Sequence, residues 1–178
     1  KTLFQHPSVT FLSINVSPFD AHKHSSVSLI GDAKKSLQTL NHILKNDGFS
    51  ISVKFRAKIK QQKNNWNQEV DRIFNLKNEP AVSQGEVIGL ISDCMTEDDT
   101  VVCAAGSLPG DMHKLWRTAN GNQYHMEYGY SCMGYEIAGG LGVRMAKQSG
   151  EVFVMVGDGS YLMMNSEIVT AVQENQKL

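Results

Sequence analysis

The chain has 178 residues, of which 41% are hydrophobic and 20% are charged, and its formal net charge is −1. This composition is typical of a globular protein, and the near-neutral charge argues against binding to nucleic acid or to an anionic membrane. No apolar run approaches the roughly 20 residues that a membrane-spanning helix needs. The three cysteines lack metal-ligand spacing and indicate reduced thiols, so we expect a cytoplasmic protein.

The first part of the chain predicts two strands followed by a helix. Val9–Val16 is a β-rich run that ends at Ser17-Pro18, and Val27–Ile30 is a second short strand. Ala33–Lys45 carries three leucines at helical spacing and is followed by Asn-Asp-Gly, which commonly ends a helix. These elements are too few to close a core. We interpret residues 1–50 as the last part of a domain.

Residues 51–79 predict a helical linker. The segment from residue 49 to residue 76 is polar, with a thin apolar stripe that includes Trp66, Val70 and Phe74. Trp66 is interpreted as an anchor that packs this helix on a neighbouring domain.

A new unit is predicted from Pro80, at residues 80–178. Ser83 and Glu86 have the spacing of a capping box, which marks the start of a helix. Within that helix, Val87, Ile91 and Cys94 are predicted to form the apolar face.

Beyond this helix, strands and helices alternate. Thr100–Ala105 and Glu151–Val156 are predicted strands, and Gly129–Met145 is a glycine-rich start followed by a helix of small residues. Such alternation predicts an α/β fold with a doubly wound parallel sheet, in which ligands bind at the carboxyl ends of the strands. The chain does not begin with Met, and its last residues form an amphipathic helix, so we expect an internal piece of a longer protein.

The segment Gly157-Asp158-Gly159-Ser160 follows a strand and opens a helix. Backbone N–H groups and the helix dipole at such a position favour an anion, and the glycines allow phosphate oxygens to approach closely. Asp158 is a hard oxygen ligand suited to Mg²⁺, and Ser160 can donate a hydrogen bond. A simple strand-to-helix turn is an equally good interpretation of the tetrapeptide alone.

Two further segments are candidates for the same site. Gly139, Gly140 and Gly142 lie inside a predicted helix, where each costs roughly 1 kcal/mol relative to Ala, so they indicate either close packing or a nearby ligand. Gly106–Trp116 is predicted to be a loop after a strand at the same sheet edge. Its His113 is either a ligand-contacting group or a surface residue.

Together these segments resemble the cofactor-binding domain of thiamine-diphosphate enzymes. The resemblance implies thiamine diphosphate and Mg²⁺ as cofactors, with Asp158 as a metal ligand and Gly157, Gly159 and Ser160 at the diphosphate. In that family the motif ends with an Asn that also ligates the metal, and this Asn would fall beyond Leu178.

The resemblance also implies contacts from the other segments. In the acetolactate-synthase branch, the Met of a Gly-x-Met-Gly segment lies beneath the cofactor and bends it, and Met133 occupies the matching place. Ser131, where the family usually has glycine, is implied to contact the aminopyrimidine, and Gly106 and Ser107 are implied to touch the diphosphate.

Four stretches are especially similar to the branch that hydrolyses cyclic 1,2-diones in myo-inositol degradation: SINVSPFDAHKH, VVCAAGSLPGDMHKLWRT, YHMEYGYSCMGYEIAGGLGVRMA and VFVMVGDGSYLMMNSEIVTAVQE. The implied architecture is the end of a Rossmann-like central domain, a helical linker and the first part of the cofactor domain. The implied reaction is C–C bond hydrolysis of a small cyclic dione, in a homo-oligomer whose active site lies between subunits. The resemblance implies that the activating Glu comes from an N-terminal domain of a partner subunit. Glu127 and Glu136 lie on the wrong segment to replace it, and we expect the 178-residue piece alone to be inactive.

Two alternatives remain open at the level of sequence. The first is an acetolactate-synthase-like or 2-oxoacid decarboxylating enzyme with the same cofactor domain. The second, from a different class, is a non-catalytic nucleotide-binding module. That module needs a Gly-x-Gly-x-x-Gly turn directly after a strand, whereas the glycines at 139–142 are predicted to lie within a helix.

Overall fold

A computed structural model describes residues 3–121, 123–147 and 149–178. The chain divides into two compact units, Lys1–Gln61 and Gln62–Leu178. Strand pairing is parallel in both units, which confirms the α/β class predicted from the sequence. Within the described ranges, no helix has the length and apolar character needed to cross a membrane.

The first unit contains a two-stranded parallel sheet and a helix. Its elements are β1 (Leu12–Asn15), α1 (Pro18–Ala21), a 3₁₀ turn (Lys23–Ser25), β2 (Val27–Ile30) and α2 (Ala33–Asn46). Helix α2 starts at Asp32, whose side chain accepts a hydrogen bond from the Lys35 N–H at 2.9 Å. Such a cap satisfies one of the backbone donors that every helix start leaves free. The helix buries none of its residues.

The second unit is built around a three-stranded parallel sheet. Helix α3 (Val53–Phe74) crosses the boundary between the two units. The elements that follow are α4 (Gln84–Cys94), β3 (Thr100–Cys103), α5 (Leu108–Leu115), β4 (Tyr124–Met126), α6 (Tyr135–Ala146), β5 (Val152–Val154), α7 (Asp158–Met163) and α8 (Glu167–Gln173). The strand order is β4-β3-β5, so the fully buried β3 lies at the centre. Parallel order requires crossover connections, and α5 and α6 lie in them.

The C-terminal half of α3 packs within the second unit. Val70 belongs to the buried core, and Ile73 and Phe74 pack against that core. The indole N–H of Trp66 donates a hydrogen bond to the Lys114 carbonyl on α5 at 3.2 Å. This hydrogen bond joins the helix to α5 within the same unit, and Trp66 is 46% exposed, so its predicted packing on a neighbouring domain stays a prediction.

The segment Gly106–Trp116 is not a loop, and that prediction was wrong. Residues Leu108–Leu115 form helix α5, with Pro109 in its first turn, where the missing N–H costs nothing. Pro109, Met112 and Leu115 are buried, so tertiary packing stabilises a segment whose Pro and Gly suggested a turn. Strand β4 was also not predicted from the sequence.

The capping box of α4 is confirmed, but of the three residues predicted for its apolar face only Ile91 packs against the core. The Glu86 N–H donates to the Ser83 hydroxyl at 3.2 Å, and the Ser83 N–H donates to the Glu86 carboxylate at 2.7 Å. Val87 and Cys94 are exposed, whereas the buried face contains Ile88 with Gly85 and Gly89.

Close packing of α4 on α3 explains why this side of α4 is buried. A Cβ at Gly85 would lie 2.4 Å from the Ile73 side chain, and one at Gly89 would lie 2.6 Å from the Phe74 ring. The small residues of α4 therefore decide which side of the helix faces the core.

Candidate functional site

The carboxyl ends of β3 and β5 border a cavity of about 310 Å³. Its lining includes every predicted site residue except Ser131, namely Gly106, Ser107, Met133, Gly157, Asp158, Gly159 and Ser160. A larger cavity of about 430 Å³ is lined mostly by apolar residues around α8 and contains no predicted site residue. We place the candidate site in the smaller cavity, because the polar groups converge there and ligands of open parallel sheets bind at this edge.

Two glycines leave free space on the cavity side. Gly106 has φ +87°, which favours glycine, and a Cβ added there would meet no atom within 4 Å. A Cβ at Gly157 would also meet nothing within 4 Å, although its φ of −78° suits any residue. The protein's own packing therefore does not require glycine at 157. The open space fits a group, such as a phosphate, that approaches the backbone closely.

The turn at residues 157–160 forms the start of helix α7, with Gly157 at its N-cap. The exposed Asp158 carboxylate accepts a hydrogen bond from the Gly159 N–H at 2.8 Å. The N–H groups in the first turn of a helix have no intrahelical partner, so they are suited to an anion.

Met133 lies directly beside this turn. Its side chain is 48% exposed, and its methyl carbon is 3.4 Å from the position that a Cβ of Gly159 would occupy. An apolar, adaptable thioether next to a polar turn can support the ring system of a ligand whose charged end lies at the turn.

Ser131 lies outside the cavity lining, on an exposed loop. Its φ is +51°, in the left-handed region that non-glycine residues rarely adopt. Glu127 shapes this loop, because its carboxylate accepts the N–H groups of Tyr130 at 3.0 Å and Cys132 at 2.8 Å. Hydrogen bonds to these backbone groups lower the pKa of Glu127.

Glu136 does not line the cavity, but it connects segments that do, and this was not predicted from the sequence. Only 1% of it is exposed, and its Oε1 accepts the Ala105 N–H at 3.0 Å. Its Oε2 accepts the Gly134 N–H at 3.1 Å and the Ser160 hydroxyl at 2.6 Å. The one signal for it in the sequence is an acidic residue beside a run of small and apolar helix residues.

Other candidates are not part of the cavity. His113 is exposed, and its ring stacks on Tyr128 at a centroid distance of 6.3 Å. Gly140 serves helix–sheet packing, because a Cβ there would lie 2.4 Å from the Val154 side chain on β5. The glycines of α6 lie within the helix, which removes the turn that a nucleotide-binding module would need.

The protein atoms alone do not complete a metal centre. Among the described residues, no group of three or more His, Cys, Asp or Glu side chains could hold a metal ion. Asp158 supplies a single carboxylate at the cavity. A lone carboxylate fits Mg²⁺ when phosphate oxygens and water provide the remaining ligands.

Comparison with known proteins finds a family that matches most of the segments bordering this cavity. Residues 104–178 match the family described as thiamine pyrophosphate enzyme, C-terminal TPP binding domain. The matched segment begins at the end of β3 and includes all eight predicted site residues. The recognition of the thiamine-diphosphate enzyme family from the sequence is therefore confirmed.

Curated relatives sharpen the comparison. The chain is 40% identical to a 3D-(3,5/4)-trihydroxycyclohexane-1,2-dione hydrolase of Clostridium botulinum strain Alaska E43, and the match covers 100% of the chain and 31% of the relative. It is 39% identical to the protein of that name from Clostridium tetani and 42% identical to the one from Bacillus cereus strain AH820, with the same coverage. The chain thus spans about a third of the length of these relatives.

Proposed function

We propose that this chain forms part of a thiamine-diphosphate- and Mg²⁺-dependent hydrolase that opens the ring of a trihydroxycyclohexane-1,2-dione in myo-inositol degradation. The observation that carries the proposal is a single cavity joining the turn at 157–160, Met133 and the Gly106-Ser107 segment. The hydrolases that share about 40% identity with the chain supply the substrate class.

The charged end of the cofactor is assigned to the turn at residues 157–160. Its backbone N–H groups, with Gly106 and Ser107 on the facing side of the cavity, bind the diphosphate. Asp158 provides the carboxylate for Mg²⁺. The Ser160 hydroxyl donates its hydrogen bond to Glu136. The backbone N–H of Ser160, rather than its hydroxyl, is therefore the donor left for a diphosphate oxygen.

The organic part of the cofactor is assigned to Met133 and the loop before it. Met133 supports the bend between the two rings, and the backbone of Ser131 and Met133 contacts the aminopyrimidine. Bound thiamine diphosphate supplies a carbon nucleophile and an electron sink for C–C cleavage, and the protein binds, orients and shields it.

No residue of this chain is assigned the role of activating carboxylate. Glu127 is held by backbone N–H groups of its own loop, and Glu136 is buried and engaged with three donors. We therefore propose that this carboxylate comes from a partner subunit in a cytoplasmic homo-oligomer, and that the 178-residue chain alone binds the cofactor weakly and shows no turnover. We further propose residues 1–50 as the end of a central domain, 51–79 as a linker and 80–178 as the first part of the cofactor domain.

A direct comparison of two substrates tests the proposed reaction. The protein expressed at the full length of its gene is incubated with thiamine diphosphate and Mg²⁺, and either a trihydroxycyclohexane-1,2-dione or pyruvate is added. We expect acid formation from the dione without release of CO₂. Release of CO₂ from pyruvate with an unreactive dione would instead favour a 2-oxoacid decarboxylating enzyme.

Substitution at Asp158 tests the cofactor assignment independently of the substrate. In Asp158→Asn, the loss of the carboxylate should weaken Mg²⁺-dependent binding of thiamine diphosphate by about 100-fold, or nearly 3 kcal/mol, measured by titration calorimetry. Asp93→Asn is a matched control, because Asp93 is exposed on α4 and does not line the cavity. Equal affinities for the two variants would refute the assigned role of Asp158.

A further inference from the structure

The carboxylate of Glu136 connects three separate segments of the second unit. It accepts hydrogen bonds from the Ala105 N–H after β3, the Gly134 N–H at the start of α6 and the Ser160 hydroxyl in α7. The Gly134 N–H also donates to the Ser160 hydroxyl oxygen at 2.6 Å, which closes the network.

Each of these three segments carries a residue that lines the cavity. Ala105 directly precedes Gly106 and Ser107, and Gly134 directly follows Met133. Ser160 completes the turn that begins at Gly157. One side chain is therefore hydrogen-bonded to all three of the segments that line the cavity.

Burial of the Glu136 carboxylate costs free energy, which packing alone does not explain. A carboxylate that is 1% exposed has lost its hydration, and its partners here are two backbone N–H groups and a hydroxyl, all of them uncharged. Some residues lie behind a ligand site and hold the ligand-contacting residues in place. Such residues commonly affect the binding affinity although they do not touch the ligand.

We propose that Glu136 is a positioning residue, which sets the spacing between Met133, the Gly106-Ser107 segment and the turn at 157–160 for binding of thiamine diphosphate. It acts through these segments and does not contact the cofactor itself. By accepting a hydrogen bond from the Ser160 hydroxyl, it also directs that hydroxyl toward the protein interior. This inference rests on the proposed function, because it names the same cofactor.

The test uses Glu136→Gln in the protein expressed at the full length of its gene. Glutamine keeps the size of the side chain, but it has one acceptor oxygen in place of two, so the three donors can no longer all be satisfied. We expect affinity for thiamine diphosphate at saturating Mg²⁺ to fall by about 10- to 100-fold in titration calorimetry. The Tm of the cofactor-free protein should also fall by a few degrees, because one buried donor loses its acceptor. Ile88→Ala, in the buried core, should lower the Tm at least as much but leave the cofactor affinity of the folded protein unchanged, and this comparison separates positioning from a structural role.

A double-mutant cycle adds a second measurement. Ser160→Ala removes the hydroxyl that joins Glu136 to α7, so the losses of cofactor affinity in Glu136→Gln and Ser160→Ala should be less than additive when combined. Glu174→Gln is the matched control, because Glu174 is exposed and does not line the cavity. Its affinity should equal that of the unmodified protein.

Each remaining outcome overturns the proposal. Unchanged affinity in Glu136→Gln, or strictly additive losses, would show that the carboxylate does not set the site. If Glu136→Gln and the shorter Glu136→Asp both fail to fold, Glu136 is a residue of the fold and not of the site. If the unmodified protein does not bind thiamine diphosphate, the proposed function itself fails and this inference fails with it.

Discussion

The two compact units differ in what happens to their large apolar side chains. In the unit that ends at Gln61, helix α2 buries none of its residues, and Ala21 is the buried apolar residue among those described there. In the unit that begins at Gln62, the side chains of Ile88, Val101 and Met112 are inaccessible to solvent. Both units contain parallel strands and an amphipathic or apolar helix. The difference between the units shows that apolar periodicity is enough to form helices and strands. Burial of their apolar side chains requires further layers packed on the faces of the sheet.

The candidate site belongs to the unit with the buried core. Strand β3 is buried along its whole length, and the loops after β3 and β5 border the cavity. A ligand site needs contacting groups held to within about 0.5 Å, and well-packed elements provide such rigidity.

Truncation of one isoleucine in each unit should have very different effects. Ile88 is 0% exposed and Ile43 is 49% exposed. We expect Ile88→Ala to lower the free energy of unfolding by about 2–5 kcal/mol, because it leaves a cavity, and Ile43→Ala to lower it by less than about 1 kcal/mol. Unfolding in urea measures both effects. Tryptophan fluorescence reports on the second unit, because Trp66 and Trp116 both lie there, and far-UV circular dichroism reports on the helices of both units. Equal effects would remove the contrast between the units.

A pair of glycines tests backbone packing in the same way. Gly48 and Gly150 have positive φ of +65° and +77°, but a Cβ meets no atom within 4 Å at Gly48 and lies 2.0 Å from the Asp98 carbonyl oxygen at Gly150. Gly48→Ala should cost about 1 kcal/mol of backbone strain. Gly150→Ala should cost about 2 kcal/mol more, because a backbone atom cannot move aside as a side chain can. Thermal unfolding of the two variants, followed by circular dichroism, measures the difference.

Replacement of Ser131 by glycine should stabilise the loop next to the site. Its φ of +51° strains a residue with a Cβ by about 1 kcal/mol or more, and glycine offsets part of this gain by its greater freedom in the unfolded chain. We expect Ser131→Gly to raise the unfolding free energy by less than about 1 kcal/mol. His24→Gly, at a φ of +59° in the first unit, is the matched comparison. A loss of stability in Ser131→Gly would show that the serine side chain contributes contacts.

The same loop should respond to acid through Glu127. Its backbone hydrogen bonds hold the pKa of the folded state below the ordinary value of 4.5. A carboxylate with a lowered pKa stabilises the fold above the pKa of the unfolded state, and this contribution is lost as the pH falls through the folded pKa. The amide NMR signals of Tyr130 and Cys132 should therefore shift at a pH below 4.5, and Glu127→Gln should abolish this titration. A midpoint above 4.5 would contradict the assigned cause.

Several features of the fold were predictable because they depend on neighbours in the chain. The Ser83–Glu86 capping box and the turn at 157–160 are local, since their hydrogen bonds and backbone angles involve residues a few positions apart. The α/β class followed from the alternation of apolar runs and helical segments, and the thiamine-diphosphate family followed from motifs that stand in the sequence itself. The assignment of individual residues to the cofactor stays a prediction.

Only the tertiary structure decided what depends on contacts between distant segments. Helix α5 forms in spite of Pro109 and Gly110, because its apolar side is buried in the core. The buried face of α4 was set by glycines that fit against α3, which the spacing of large apolar residues could not indicate. Glu136 gains its three donors from segments up to 31 positions away in the chain. Its burial and its partners come from packing, and for that reason its role could not be predicted from the sequence.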